Sequence, residues 1–559
     1  MQKVLTAEQM REVDRLTTER YGIPSILLME NAAHAVARVI TERLGGTVKG
    51  KSILILCGSG NNGGDGAALA RILAVQGAYI DVLLFGKIKE TRGDARINFG
   101  VLCREEVEFE DVYMSNFGEL GEIQSQEEYY EFYLHTGQYC DVFVDAIFGT
   151  GLTRPLDLWL YNIIHDINFA NEGPTFKPRL TVAVDIPTGL NADSDERFAE
   201  PIRADITVSF TAPKPGNVLP NVAALNGELI VADIGSPEEL IDAQPSHLYL
   251  AERSDAEAWL RNTEFSSDSY KNKRGHAFLI AGSESYSGAA VLCADAAMRS
   301  GVGLVTIATP KSSKDSVASR VLPEVIVRGV SESESGAIAE AAFAEIGELL
   351  EKTDAVAIGS GISQDESTKK FVERVIENRQ QPIVVDADAI NLLSPFAGEN
   401  HPVGETPPPL LSKEGSLLLP LILTPHEGEF LRLLGTTDKD VLHDCVAAVR
   451  QFALTHNVIL VLKGERVLIG EPSGRVVVNP TGNSGLGKAG NGDTLTGILV
   501  GFVAQAVQFK RDIFETVVAA VYVAGMAGDL AEQKYGKRVM TASDVRECLS
   551  EVFSNLEGS

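Results

Sequence analysis

Ser52-Ile-Leu-Ile-Leu-Cys57 runs straight into Gly58-Ser-Gly-Asn-Asn-Gly-Gly-Asp-Gly66, and Ala67–Gln76 continues with helical spacing. An apolar run that stops at a glycine cluster reads as a strand buried on both faces, followed by a turn and a helix. The unit recurs. Ile80–Phe85, Cys140–Asp145, Leu180–Asp185, Ile206–Phe210 and Leu229–Ile234 are further apolar runs in the first half. The rhythm restarts after Pro245: Ala277–Ala281 leads into a Gly/Ser turn and a helix to Arg299. Leu304–Ala308, Ala355–Ile358, Ile383–Asp386, Leu421–Thr424 and Val458–Leu462 follow as strands. Val467–Gly470 and Arg475–Asn479 read as an antiparallel pair, and two helices, Asp493–Ala506 and Asp512–Lys534, close the chain. Strand–helix alternation of this kind predicts an α/β fold with mostly parallel sheets covered on both faces, here two three-layer α/β/α domains. Gly-Ser-Pro and Gln-Pro-Ser punctuate residues 235–250, so the domains are drawn at 1–243 and 244–559.

Length agrees, since 559 residues exceed the about 250–300 at which one core stops growing. With 49 Lys+Arg against 77 Asp+Glu the formal net charge is −28. Such a surface repels nucleic-acid phosphates and anionic lipid, so neither nucleic acid nor membrane is expected as a partner. An anionic small molecule needs a pocket whose local donors outweigh that field. The six cysteines (57, 103, 140, 293, 445 and 548) form no CxxC, and no HExxH occurs. They read as buried small hydrophobes in a reducing compartment rather than as zinc or dithiol centres. The polar start Met1–Glu12 lacks a signal-peptide core, and no apolar run reaches the roughly 18–20 residues of a membrane span. A cytoplasmic protein is expected. The Val517–Ala527 stretch is apolar enough for a core or for a subunit interface, which leaves a homo-oligomer open. Acidic, Tyr-rich Asn116–Gln138 and Pro-rich Gly398–Gly415 read as surface excursions.

Ligands of parallel sheets bind beyond the carboxyl ends of the strands. In the first half three strand ends carry oxygen donors: the Asn61-Asn62-Gly63-Gly64-Asp65 turn, Asp145 in Asp-Ala-Ile-Phe-Gly-Thr-Gly151, and Asp185 with Thr188 in Asp-Ile-Pro-Thr-Gly189. Any one aspartate is satisfied by capping a turn. Three on one edge suggest a hard cation, a hydroxyl or a proton transfer. The three motifs, in this order, resemble the NAD(P)H-hydrate epimerase (YjeF N-terminal) family over about residues 1–240. The resemblance implies a Rossmann-like domain that interconverts the R and S epimers of NADHX and NADPHX. It implies K⁺ held by Asn62, Asp145 and Thr188. It implies substrate contacts from Asn61 to Asp65 and from Gly149, Thr150, Gly151, Leu152, Thr153, Arg154 and Pro155. Asp185 would contact the hydrated ring as acid/base group. Thr188 stands where the family often has Ser, and Ala33 where Gly is usual.

The second half centres on Asn483-Ser-Gly-Leu-Gly-Lys-Ala-Gly-Asn-Gly-Asp-Thr-Leu-Thr-Gly497. A Gly-x-Gly-Asp turn opening a helix offers free N–H groups at Gly490–Asp493 to a transferring phosphoryl group, and Asp493 can take a hydroxyl proton. A capping Asp after a glycine turn accounts for Asp493 alone, not for the glycine-dense approach with Lys488. His426, the Asp386/Asp388/Asn391 group and the Lys463–Val467 turn follow other strands. Together they resemble the ribokinase-like fold and, within it, the ADP-dependent NAD(P)H-hydrate dehydratases, over about residues 250–555. That resemblance assigns Gly361, His426 and Asp493 to the hydrate, with Asp493 catalytic at the 6-hydroxyl. It assigns Lys463, Gly464, Glu465, Arg466, Val467 and Gly492 to the adenine nucleotide. It implies phosphorylation of S-NAD(P)HX by ADP, with Mg²⁺, and release of NAD(P)H, AMP and phosphate. Asn491, Gly359-Ser-Gly-Ile-Ser363 and Tyr270-Lys-Asn272 depart from the usual family residues.

The expectation is therefore a bifunctional repair enzyme, an isomerase joined to a lyase, whose small-molecule partners are NADHX, NADPHX and ADP. Two alternatives stand beside it. One is a ribokinase-like kinase of a vitamin-precursor alcohol. The other is a catalytically silent nucleotide-binding protein with a partner-binding first half.

Overall fold

The computed structural model describes residues 1–102, 117–135, 140–172, 180–396 and 420–558. The chain divides into two compact units, Gln2–Ser246 and His247–Ser559 with Met1.

The first unit is built on a seven-stranded sheet ordered Phe117–Ile123, Tyr79–Phe85, Ser52–Gly58, Val142–Ala146, Leu180–Val184, Ile206–Phe210, Glu228–Ala232. Every pairing in it is parallel. Ile53 through Cys57 and Val142 through Ala146 are buried on both faces, which is why these runs show no polar alternation. The order reverses at Ser52–Gly58. The chain first goes outward to Tyr79–Phe85, then crosses to Val142–Ala146 on the other side. A crevice opens at such a reversal, and the first glycine motif sits there.

Helix Asn61–Val75 begins inside that motif, before the expected Ala67. The glycines permit a close approach of helix to sheet. A Cβ on Gly63 would lie 1.7 Å from the Gly58 carbonyl oxygen, and one on Gly66 2.7 Å from Cys57 Sγ. Gly63→Ala should therefore destabilise this unit by at least about 3 kcal/mol, as overpacking against backbone cannot relax. Thermal denaturation followed by near-ultraviolet circular dichroism checks it, and a melting point equal to wild type would contradict the packing.

Phe117–Ile123 corrects the reading of Asn116–Gln138 as a surface excursion. It is the edge strand of the sheet, paired in parallel with Tyr79–Phe85, and Gln126–His135 is a helix. Acidity misled because Glu127 and Glu128 point outward while Tyr129 turns into the core, 1% exposed, beside Phe85. Gly398–Gly415 lies outside the described residues, as does Cys103.

In the second unit the strands run Leu248–Leu250, Val476–Asn479, Val467–Gly470, Ile459–Leu462, Leu421–Leu423, Ile383–Val385, Ala355–Ile358, His276–Ile280, Leu304–Pro310, Ile326–Val330. From Ile459–Leu462 to Ile326–Val330 all pairings are parallel, and Val467–Gly470 is antiparallel both to Ile459–Leu462 and to Val476–Asn479. Here the order reverses at His276–Ile280, which is flanked by Leu304–Pro310 and Ala355–Ile358. Three helices close the chain rather than two: Asn491–Phe509, Ile513–Tyr535 and Ala542–Glu557. The third was announced by Thr541-Ala-Ser-Asp544, which forms a capping box. Ile513–Tyr535 is long and apolar enough to cross a bilayer by length and composition alone, but most of it is buried. Val517, Val521 and Val523 lie in the same core as Trp259, which stacks on Phe502 at 4.0 Å.

Candidate active sites

In the first unit Asp145 ends strand Val142–Ala146, and Thr188 follows Leu180–Val184. Both are fully buried. Thr188 donates its backbone N–H to Asp145 Oδ2 at 2.7 Å and its hydroxyl to Oδ1 at 2.7 Å, and the Ile147 N–H reaches Oδ1 at 3.2 Å. Burial raises the Asp145 carboxyl to about 6 in spite of these bonds. Asn62 sits in the first turn of helix Asn61–Val75. A Cβ on Gly149 would stand 3.0 Å from both Asn62 Oδ1 and Asp185 Oδ2, so the absent side chain keeps a notch open between them. Asn62 Nδ2 is buried without a partner.

Asp185 has a left-handed backbone, φ 68°, uncommon outside glycine and best tolerated by Asp and Asn. Its N–H donates to Val208 O at 2.8 Å, and its carbonyl accepts from Asn217 Nδ2 at 3.1 Å. Oδ1 takes the ammonium of Lys214 at 2.6 Å. Burial, then the charges of Asp185 and Asp14, push Asp65 well above the carboxylate range. Burial lifts Asp14 to about 6 against the pull of Lys214. Of the other residues singled out in this half, Asn61 is exposed while Gly63 and Gly64 are buried in helix packing. In the following loop Gly149 and Leu152 are buried, Thr150 is half-buried, and Gly151, Thr153, Arg154 and Pro155 are exposed.

In the second unit the first turn of Asn491–Phe509, Asp386 and Lys463 converge. A Cβ on Gly492 would be 3.6 Å from Lys463 Nζ and 3.7 Å from Asp386 Oδ2. Gly490, the residue that starts the helix, has φ 93°, a left-handed turn that suits glycine. Lys463 Nζ bonds Asp386 Oδ1 at 2.8 Å, and hydroxyls of Thr424 and Thr496 complete that carboxylate at 2.7 and 2.9 Å. Burial alone would raise Asp386, but Lys463 and the two hydroxyls hold it below its ordinary value. Asp493 has no such clamp: burial, then the Asp386 charge, raise it to about 6. One carboxylate is thus fixed as an anion, and its neighbour is poised to exchange a proton near neutrality.

His426 caps the helix Glu427–Leu433, its Nδ1 accepting the N–H groups of Gly428 at 3.0 Å and Glu429 at 3.3 Å. An Nδ1 used as acceptor places the proton of the neutral ring on Nε2, which becomes a donor. Gly361 has φ 64°, and a Cβ there would press on Tyr286 and Ala289. Asp388 braces its loop by accepting the Ser363 N–H at 3.0 Å. The Lys463–Val467 stretch joins two strands. Gly464 and Glu465 are exposed there, and Arg466 donates to the Pro480 carbonyl. Lys488 does not face the anion site: its ammonium is directed to the carbonyls of Arg538 and Met540. Its place in the motif reflects a tie to the loop before the last helix.

Residues 277–551 match the NAD(P)H-hydrate dehydratase family, and residues 25–216 match the YjeF-related protein N-terminus family. The bifunctional NAD(P)H-hydrate repair enzyme of Moorella thermoacetica is 37% identical over 99% of this chain and 97% of its own. The chain belongs to the bifunctional NAD(P)H-hydrate repair enzyme family. The repair enzyme of Thermofilum pendens is 32% identical over 97% of this chain and 94% of its own. Among solved structures, an ADP/ATP-dependent NAD(P)H-hydrate dehydratase from Bacillus subtilis co-crystallised with ATP/Mg²⁺ is 29% identical, with a TM-score of 0.46, and covers 55% of this chain and 99% of its own.

For this member of the repair-enzyme family, sequence reasoning missed Lys214 and Asp14. Lys214 follows the buried strand Ile206–Phe210 on the edge that carries Asp145 and Asp185. A lysine between Ala-Pro and Pro-Gly at a strand end was the available signal. Asp14 gave none, because an aspartate in an amphipathic helix reads as solvated.

Proposed function

We propose that this chain repairs hydrated nicotinamide cofactors. The first unit interconverts the R and S epimers of NADHX and NADPHX, and the second dehydrates the S epimer with ADP. The observation that carries the reading is the carboxyl of Asp493, raised to about 6 at a helix start beside Gly492 and Lys463. That is what transfer of phosphate to a hydroxyl requires. The Lys463 turn and the amides at Gly490–Gly492 would hold MgADP, a substrate here, and His426 Nε2 and the Gly361 loop would orient the hydrate. Asp493 accepts the proton of the 6-hydroxyl as its oxygen attacks the β-phosphorus, and AMP departs. The ring nitrogen lone pair then expels phosphate from C6, and loss of a C5 proton restores the double bond. Phosphate succeeds as leaving group where hydroxide fails. A small-molecule kinase would instead use ATP and leave a stable phosphate ester, and the YjeF-type first unit would have no task beside it. A coupled assay on mixed NADHX epimers with ADP, ATP or neither tests the reading, since repair gives rising absorbance of the reduced ring.

The oxygen donors Asn62, Asp145 and Thr188 suit K⁺: Asp145 is a buried carboxylate raised by its burial, and Asn62 Oδ1 lies at the Gly149 notch. When bound, the ion would supply fixed positive charge beside the substrate's phosphates. Replacing K⁺ by Na⁺ should lower the epimerisation rate about tenfold or more, as the smaller ion fits that donor set less well. Equal rates in the two buffers would contradict the assignment. The free thiols of Cys57, Cys293 and Cys548 fit action in a reducing cytoplasm.

A further inference from the structure

Asp185 presents one carboxylate oxygen and withholds the other. Oδ2 faces the Gly149 notch, whereas Oδ1 is held by Lys214 Nζ at 2.6 Å, beside the Ser209 hydroxyl, whose one proton is shared between Oδ1 at 3.3 Å and Asn217 Oδ1 at 3.2 Å. Lys214 is 1% exposed. Its ammonium also reaches Ser209 Oγ at 3.0 Å and Phe210 O at 3.0 Å. An ammonium has three donors, so none is left for a substrate. The Lys214 backbone is fixed as well, donating to Asn217 Oδ1 at 2.8 Å, while Asn217 Nδ2 grips the Asp185 carbonyl. The titratable groups near this pair are the carboxyls of Asp65 from helix Asn61–Val75 and Asp14 from helix Ala7–Tyr21, both raised by burial. Of the three carboxyls it is Asp185 that forms the ion pair with Lys214.

We infer that Lys214 is a positioning residue for epimerisation, holding Oδ1 of Asp185 so that Oδ2 is turned into the crevice at the Gly149 notch. The inference rests on the epimerase reading of the first unit. A merely structural ion pair would affect stability and leave turnover of the folded enzyme alone. A clamp on the reacting carboxylate acts on turnover, because an untethered Asp185 spends most of its time misaimed although the substrate still binds.

The experiment uses the full chain, R-NADHX without ADP, and separation of the two epimers by chromatography. Lys214→Met should lower the epimerisation kcat about 100-fold, the cost of misplacing a reacting group by roughly 1 Å, with KM within about threefold of wild type. The double variant Lys214→Met/Asp185→Asn should be no slower than Asp185→Asn alone, because Lys214 works through Asp185. Should Lys214→Met fail to fold, Ser209→Ala decides: it removes one contact to each partner and should lower kcat about 3- to 10-fold at unchanged KM. Turnover of S-NADHX with ADP, carried out by the other unit, reports that each preparation is sound. A wild-type kcat in folded Lys214→Met, or in Ser209→Ala where Lys214→Met does not fold, overturns the inference, as does a loss confined to KM. Independent effects of Lys214 and Asp185 in the double variant overturn it too. Failure of the wild-type chain to interconvert the epimers is a different result, since it removes the epimerase reading and the inference with it.

Discussion

Asp493→Asn should abolish dehydration while the epimers still interconvert. Asn keeps the shape and the helix start but cannot take the hydroxyl proton, so kcat with S-NADHX and ADP should fall roughly 100- to 10,000-fold. The two sites lie in separate compact units, so R-to-S conversion by the same preparation is the internal control. Equal loss of both activities would contradict the division of labour. Titration gives an independent handle. Burial and the neighbouring Asp386 charge raise the Asp493 carboxyl to about 6. It works only when ionised, so wild-type kcat/KM should climb about tenfold per pH unit below that midpoint and level off above it. The residual rate of the variant should lack this limb. Stability should move the opposite way. A carboxyl raised in the folded state favours folding below its unfolded value of about 3.9, and that advantage is lost as pH rises through about 6. At pH 7 the wild type carries a buried anion that the variant does not. Asp493→Asn should therefore melt higher at pH 7, by an amount worth about 1–2 kcal/mol, with the gain gone below about pH 4. A variant that is inactive and also less stable at pH 7 would point to damage rather than to a lost base.

The architecture was legible because buried parallel strands announce themselves. Runs such as Ser52–Cys57 and Ile383–Asp386 are apolar without alternation and stop at glycine or aspartate, and parallel sheets bring such stops to one edge. Those rules place Asp145, Asp185, Asp386 and Asp493 at strand or helix ends from the sequence alone. Charge partners were harder to read. Asp386 and Lys463 are far apart in sequence, and only the neighbouring strands Ile383–Val385, Leu421–Leu423 and Ile459–Leu462 bring them within 2.8 Å. Asp388 and Asn391 looked equivalent to Asp386, yet they brace the Gly361 loop and bond Arg432. Helical geometry decides that, because residues two and five places on leave the strand end on other faces of the turn. The first glycine motif is ambiguous for a different reason. Gly63 and Gly66 seat a helix closely on the sheet. Glycine reports a close approach of something, and the sequence does not say whether that is a ligand or the chain itself.

Asp185→Asn should produce the complementary defect: S-NADHX still consumed with ADP, R-NADHX left unprocessed, and interconversion slowed about 1,000-fold or more. The substitution is mild for the backbone, since Asn tolerates the left-handed φ of 68° as Asp does. It is severe for charge. Lys214 loses the carboxylate at 2.6 Å while remaining 1% exposed, and stranding a buried cation costs about 3–5 kcal/mol. Asp65 and Asp14 face the same ammonium, and either can recover part of that loss by ionising in place of Asp185. The expected melting-point drop of the first unit is thus smaller than for an isolated buried pair, and it should shrink further as pH rises and those two carboxyls give up their protons. Adding Lys214→Met removes the stranded charge altogether and should return stability without returning activity. A double variant as stable as wild type and still inactive would assign the loss to the carboxylate. Recovered interconversion in that double variant would place the acid/base group elsewhere, with Asp65, raised by its burial in the same crevice, next in line.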